Sequence, residues 1–123
     1  MSDFNELAER YIATWNETDP AARRAGIEAI YTADATYTDP LVVAEGHDAI
    51  DATIAAVQAQ FPGLVFRLGG GGVDAHHDIA RFTWELGPQD GEALVVGFDV
   101  AVRAEEGRIK AVHGFLDKVP AGA

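Results

Sequence analysis

Three residues combine a reactive side chain with a setting that could put it to use: Asp99, Asp39 and Tyr11. Asp99 lies in residues 94–103, where alternate positions separate into two unlike faces. Leu94, Val96, Phe98, Val100 and Val102 are bulky and apolar, whereas Val95, Gly97, Asp99, Ala101 and Arg103 are mostly small. Successive strand side chains point to opposite faces, so the small face is expected to line a cavity with Asp99 projecting into it. A carboxylate among apolar groups is costly unless it is hydrogen-bonded, paired or protonated. The alternative is a partnered or solvated Asp99 at a sheet edge.

Asp39 ends a short threonine- and tyrosine-rich run on the same face as Tyr37, and Pro40 turns the chain away from it. Taken alone, an Asp-Pro step more often serves a turn than a reaction. Tyr11 falls on the apolar face of the first helix, where a phenol is commonly a core residue. Brought together in one pocket, the three suit proton abstraction next to a carbonyl. One carboxylate takes the proton, and a phenol with a protonated carboxyl binds the enolate oxygen.

The other polar features carry less. In His76-His77-Asp78, adjacent side chains would diverge on a strand and the triplet coincides with an expected hairpin turn, so no metal site is expected there. His47 falls near the start of the third helix. His113, in the last strand, faces either the pocket or a partner subunit and is a second-rank site candidate. The glycines at 69–72 lack the Lys-Ser/Thr ending of a phosphate loop and suit a sharp bend instead. Trp15, Phe82 and Trp84 are read as core or pocket wall.

The elements that must position these residues follow from periodicity. Phe4, Leu7, Ala8, Tyr11, Ile12 and Trp15 recur with helical spacing, with Asp3 and Glu6 as a start signal. Asp19-Pro20 opens a second helix with Ile27, Ile30 and Tyr31 inward and Arg23, Arg24 and Glu28 toward water. Residues 35–39 read as a strand. A third helix carries Ile50, Ile54, Val57 and Phe61 and stops at Pro62-Gly63. Strand-like runs at 64–68, 79–86, 92–103 and 108–118 follow, separated by glycine-bearing turns at 69–72, 87–91 and 105–107. Helices first and hairpin-connected strands after them predict an α+β fold with helices on one face of an antiparallel sheet.

Composition bounds the rest. The 123 residues suit one domain, with 119–123 as a frayed tail. A net charge of −11 disfavours nucleic acid and anionic membrane surfaces. The absence of cysteine removes thiol chemistry, and the acidic N-terminus with no apolar run after it reads as cytoplasmic.

These residues carry a resemblance. Ala8-Glu9-Arg10-Tyr11-Ile12, the run from Ile30 to Pro40 that contains Tyr31, Tyr37 and Asp39, Gly97-Phe98-Asp99-Val100, and Gly107-Arg108-Ile109 resemble the bacterial ketosteroid isomerases. More broadly, the chain is similar to the SnoaL-like polyketide cyclases and the nuclear transport factor two superfamily. The resemblance covers residues 4–118. It implies a cone-shaped, cystatin-like fold in which a curved, mixed-edge antiparallel sheet wraps about three helices and encloses an apolar pocket. It also implies Asp39 as general base, Tyr11 and Asp99 as oxyanion donors, and Tyr31 as a support of their hydrogen-bond network. Ile54 and Leu116 stand where those isomerases carry a third-helix aromatic residue and a late tryptophan.

The expected activity is therefore cofactor-independent proton transfer on a small apolar carbonyl compound, by an isomerase or a polyketide-cyclase-like enzyme. A non-catalytic binding or dimerisation module is the alternative. Epoxide hydrolysis is a third reading, with Arg81 or Arg103 between two aspartates. A homodimer through the outer sheet face is expected.

Overall fold

The computed structural model describes residues 3–120. The elements run α1 (Phe4–Asn16), α2 (Pro20–Ile30), β1 (Tyr31–Thr38), β2 (Val43–Glu45), α3 (Gly46–Gln60), β3 (Val65–His76), β4 (Ile79–Gly87), β5 (Val95–Arg103) and β6 (Ile109–Lys118). The strands form one open six-stranded sheet in the order β2-β1-β6-β5-β4-β3. Every pairing is antiparallel except β1 with β6, which is parallel. This is the expected α+β architecture with a mixed edge. Of the expected tail, residues 121–123 lie outside the described residues.

The helix start signals act as read. The Asp3 carboxylate accepts from the Glu6 N–H at 2.8 Å, and Asp19 accepts from the Ala22 N–H at 2.8 Å, each satisfying an otherwise orphaned donor of the first turn. One face of α1 then buries Phe4, Leu7, Ala8, Tyr11, Ile12 and Trp15. No described helix is long and apolar enough to cross a membrane.

The structure corrects the sequence reading at four points. The first strand begins at Tyr31, directly after α2, because Tyr31 pairs with Ile109 of β6. A register shift then absorbs the residues before Thr36 meets Ala111. Val43–Glu45, read as loop, pairs with Thr36–Thr38 as β2. The glycines at 69–72 are not a turn between strands but part of β3, where Leu68 faces Trp84 and Val73 faces Phe82, leaving extra residues on one side only. A Cβ at Gly69 would lie 2.8 Å from Thr83 Cγ2, and Gly72 has φ +73°, so side chains are excluded where the strand bends. The hairpin turn between β3 and β4 falls at His77, within the triplet where one was expected.

The fourth correction is Arg23, expected in water and found buried. Its Nε donates to Asp51 Oδ1 at 2.5 Å and its Nη1 to Gln58 Oε1 at 3.1 Å, so α2 is tied to α3. Gln58 Nε2 in turn donates to the carbonyls of Trp15 and Glu17, at 3.0 and 2.8 Å, which fixes the end of α1. Helical periodicity places Arg23 correctly on its helix but cannot show that a third helix supplies a partner acid.

The two faces of β5 separate as alternation predicts. Val95, Gly97, Asp99 and Ala101 are buried, while Val96, Phe98, Val100 and Val102 lie half-buried on the outer face. There Phe98 and Phe115 stack at 4.9 Å, with Phe115 half exposed. Inside, the Trp84 indole occupies the space a side chain at position 97 would need: a Cβ there would lie 2.4 Å from Trp84 Cζ2 and 2.5 Å from the Phe115 carbonyl oxygen. Gly97→Ala is expected to destabilise the protein by roughly 1–3 kcal/mol, because backbone cannot yield as a side chain can. Urea denaturation at constant pH measures it.

Candidate active site

Side chains from α1 and five of the strands converge on one cavity of about 140 Å³. From α1 come Tyr11 and, one turn later, Trp15. Tyr37 extends from β1, with Asp39 just past its end, and β3, β4, β5 and β6 supply Phe66, Trp84, Asp99 and Gly114. Leu41, Val57, Phe61 and Val119 also contribute to the lining. The three residues singled out in the sequence, Tyr11, Asp39 and Asp99, thus share one wall-to-wall space.

Asp99 is 2% exposed. Its Oδ2 accepts a 2.7 Å hydrogen bond from the Tyr11 hydroxyl, and its Oδ1 has no partner. Burial lifts its pKa from 3.8 to about 6; the Tyr11 hydroxyl and the Trp84 indole pull the other way, and the charge of Asp39 adds to the rise. Tyr11 is pushed well above the usual phenol range, by burial first and then by the charge of Asp99, so it stays a donor.

Asp39 serves the turn and the cavity at once. Its Oδ1 accepts from the N–H groups of Leu41 and Val42 at 2.8 and 3.0 Å, an Asx turn that reverses the chain into β2. Its Oδ2 accepts from the Tyr37 hydroxyl at 2.8 Å. The turn reading and the site reading of Asp39, alternatives in the sequence, therefore describe the two oxygens of one group.

Gly114 brings the carboxyl groups together. It pairs with Asp99 across β5 and β6, and a Cβ on it would lie 2.8 Å from Asp99 Oδ1 and 3.4 Å from Asp39 Cβ. Sequence reasoning missed this residue. The available signal was a glycine inside an otherwise bulky strand, which marks close approach only once the partner strand is known.

The remaining candidates fall around the cavity rather than in it. Trp15 and Trp84 are wall, as read. Phe82 is core: its ring meets Tyr11 edge-on at 5.6 Å and does not line the cavity. Tyr31 is fully buried, with its ring 6.4 Å from that of Tyr11, but its hydroxyl has no partner and supplies no link of a hydrogen-bond network. His113 is exposed on the outer face, because its inward neighbour on β6 is Val112. His47 is occupied at the start of α3, with Nε2 within 3.1 Å of the Tyr31 and Thr32 carbonyls. Arg81 pairs with Asp74, and Arg103 lies over the Phe4 ring at 4.3 Å; neither lines the cavity.

Residues 8–112 match the SnoaL-like domain, and the chain belongs to that family. A solved SnoaL-like family protein from Agrobacterium tumefaciens, provisionally named an isomerase, is 40% identical with a TM-score of 0.85, over 91% of this chain and 95% of its own. A protein from Jannaschia, provisionally named a SnoaL-like polyketide cyclase, is 20% identical with a TM-score of 0.68, over 90% of this chain and 85% of its own. A Catenulispora acidiphila protein with a ketosteroid isomerase-like fold, solved in complex with trimethylamine, is 17% identical with a TM-score of 0.70, over 89% and 83%. The latter two share the fold. No curated protein matches the sequence.

Because the folded state holds the Asp99 proton more tightly than the unfolded chain, it binds more protons between pH 3.8 and about 6. Stability from this group is complete below that window and is lost as pH rises through it. Wild type is expected to lose roughly 2 kcal/mol relative to Asp99→Asn between pH 4 and pH 8. Parallel denaturation of both proteins across that range measures the difference, and parallel curves would contradict it.

Proposed function

We propose that this chain is a cytoplasmic, cofactor-independent enzyme that transfers a proton at a carbon next to the carbonyl of a small apolar compound, as an isomerase or a polyketide-cyclase-like enzyme. The observation that carries the reading is the Tyr11–Asp99 hydrogen bond in the wall of an apolar cavity that Asp39 also lines. Two carboxyl groups in unlike surroundings suit opposite tasks. Burial shifts Asp99 toward its protonated form, which predominates below about pH 6; Asp39, held by three donors, is addressed throughout as an acceptor.

In this reading the substrate carbonyl oxygen takes hydrogen bonds from the Tyr11 hydroxyl and from protonated Asp99. Asp39 removes the adjacent proton, the enolate charge settles on the oxygen facing the two donors, and Asp39 returns the proton to another carbon, or the enolate carbon adds to a second carbonyl and Asp39 returns the proton to the alkoxide so formed. An apolar substrate displaces water from the cavity, which raises Asp99 further and strengthens both donors.

A binding module is the second reading, favoured by one observation: of the roughly four acceptor positions of a carboxylate, three on Asp39 are taken. The same proposal keeps the chain a homodimer through the outer sheet face around Phe98 and Phe115. Sedimentation equilibrium is then expected to return twice the 13.1 kDa monomer mass.

Asp39→Asn keeps an oxygen for the Asx turn and removes the base. On a panel of enones and β-ketoesters it is expected to lower turnover about 10²- to 10⁴-fold. Equal activity, or an inert wild type, favours the binding module. Since Asp99 must carry a proton, wild-type kcat/KM is expected to fall above about pH 6, a decline that Asp99→Asn removes.

A further inference from the structure

The cavity walls have a charge character that proton transfer alone does not require. Among the described lining residues there is no Arg, Lys or His; the ionisable groups are two carboxyls and two tyrosines. Aromatic rings join the carboxyls into a closed belt. Asp39 is bonded to Tyr37, whose ring lies 5.5 Å from that of Trp15; Trp15 lies 5.4 Å from Phe66, and Phe66 lies 5.5 Å from Trp84. Trp84 stands beside Asp99, and Gly114 brings Asp99 back to Asp39. Within this belt Asp99 Oδ1 is buried and makes no close hydrogen bond.

We propose that this cavity recognises an organic cation, a tertiary or quaternary ammonium group, within the belt formed by Trp15, Tyr37, Phe66, Trp84, Asp39 and Asp99. Aromatic faces and carboxylates attract such a group together, and the attraction grows when water is excluded. A bulky alkylammonium has apolar methyls that suit the walls and a diffuse charge that needs no directed hydrogen bond, which matches a cavity poor in polar contacts. The proposal goes beyond the proton-transfer reading and stands without it.

The pH dependence has a definite sign. Asp99 is faced by Tyr11 from α1, Tyr31 and Tyr37 from β1, Asp39 beyond β1, Trp84 from β4 and Gly114 from β6, so Asp39 is the one other carboxyl in its surroundings. The tyrosines stay neutral, being raised above their ordinary range. Ionisation of Asp99 therefore adds a negative charge to the belt, and cation binding strengthens as pH rises through about 6. An oxyanion ligand behaves in the opposite way.

The test compares choline with its uncharged carbon isostere, 3,3-dimethylbutan-1-ol, on the wild-type protein by calorimetry and by the fluorescence of Trp15 and Trp84. Choline is expected to bind about tenfold or more tightly at pH 7.5, with a smaller margin at pH 5 that Asp99→Asn holds constant across pH. Equal or tighter binding of the alcohol, or binding of neither probe, overturns the proposal. If the alcohol wins while ketone turnover depends on Asp39, cation recognition fails and proton transfer stands. If choline wins while turnover ignores Asp39→Asn, the reverse holds.

Discussion

Keeping a carboxyl group almost free of solvent is the constraint on which this structure turns. Desolvation of Asp99 works against its charged form, and the Tyr11 hydrogen bond answers only one of its two oxygens. Several otherwise costly choices follow from that one placement. Gly97 and Gly114 give up side-chain packing in two central strands so that an indole and a second carboxyl can approach. Tyr11, Tyr31 and Phe82 enclose the group in rings that exclude water. A hydrophobic residue at position 99 would relieve this burden, so the fold tolerates a penalty that packing alone does not explain.

Much of this was legible in the sequence, and the pattern of success has a physical basis. Alternation along 94–103 revealed which face of β5 is inward, because burial acts on every second residue whatever the strand pairs with. Helical spacing placed Tyr11 and Trp15 on the buried side of α1 for the same reason. What was lost depends on contacts between distant segments. Gly114 matters through its register opposite Asp99, and Arg23 is buried because Asp51 and Gln58 meet it from another helix. The glycines of β3 read as a turn because their local preference is that of a turn; pairing with β4 on both sides carries the strand through them. His113 needed the phase of β6, which Val112 sets by pointing inward.

Asp39 shows why local and functional readings of one residue need not compete. The Asx turn fixes one oxygen against the backbone and, with Tyr37 on the other, leaves the carboxylate few rotamers to lose on meeting a ligand. A group so held has already met the ordering cost that positions it. The turn after β1 thus holds the same carboxylate that lines the cavity. Replacement by a residue that cannot form the turn would confound stability with chemistry.

The Gln58 amide clamps the end of α1 to α3 through two carbonyls, one of them that of Trp15. This stiffens one rim of the cavity, where Val57 and Phe61 stand, against the wall that Trp15 forms. The lining also includes the exposed Leu41, in the short turn after Asp39, and Val119, just beyond the last strand. Under the proposed function, ligand entry and exit would depend on these few residues of turn and tail more than on the clamped helices or the buried carboxyl.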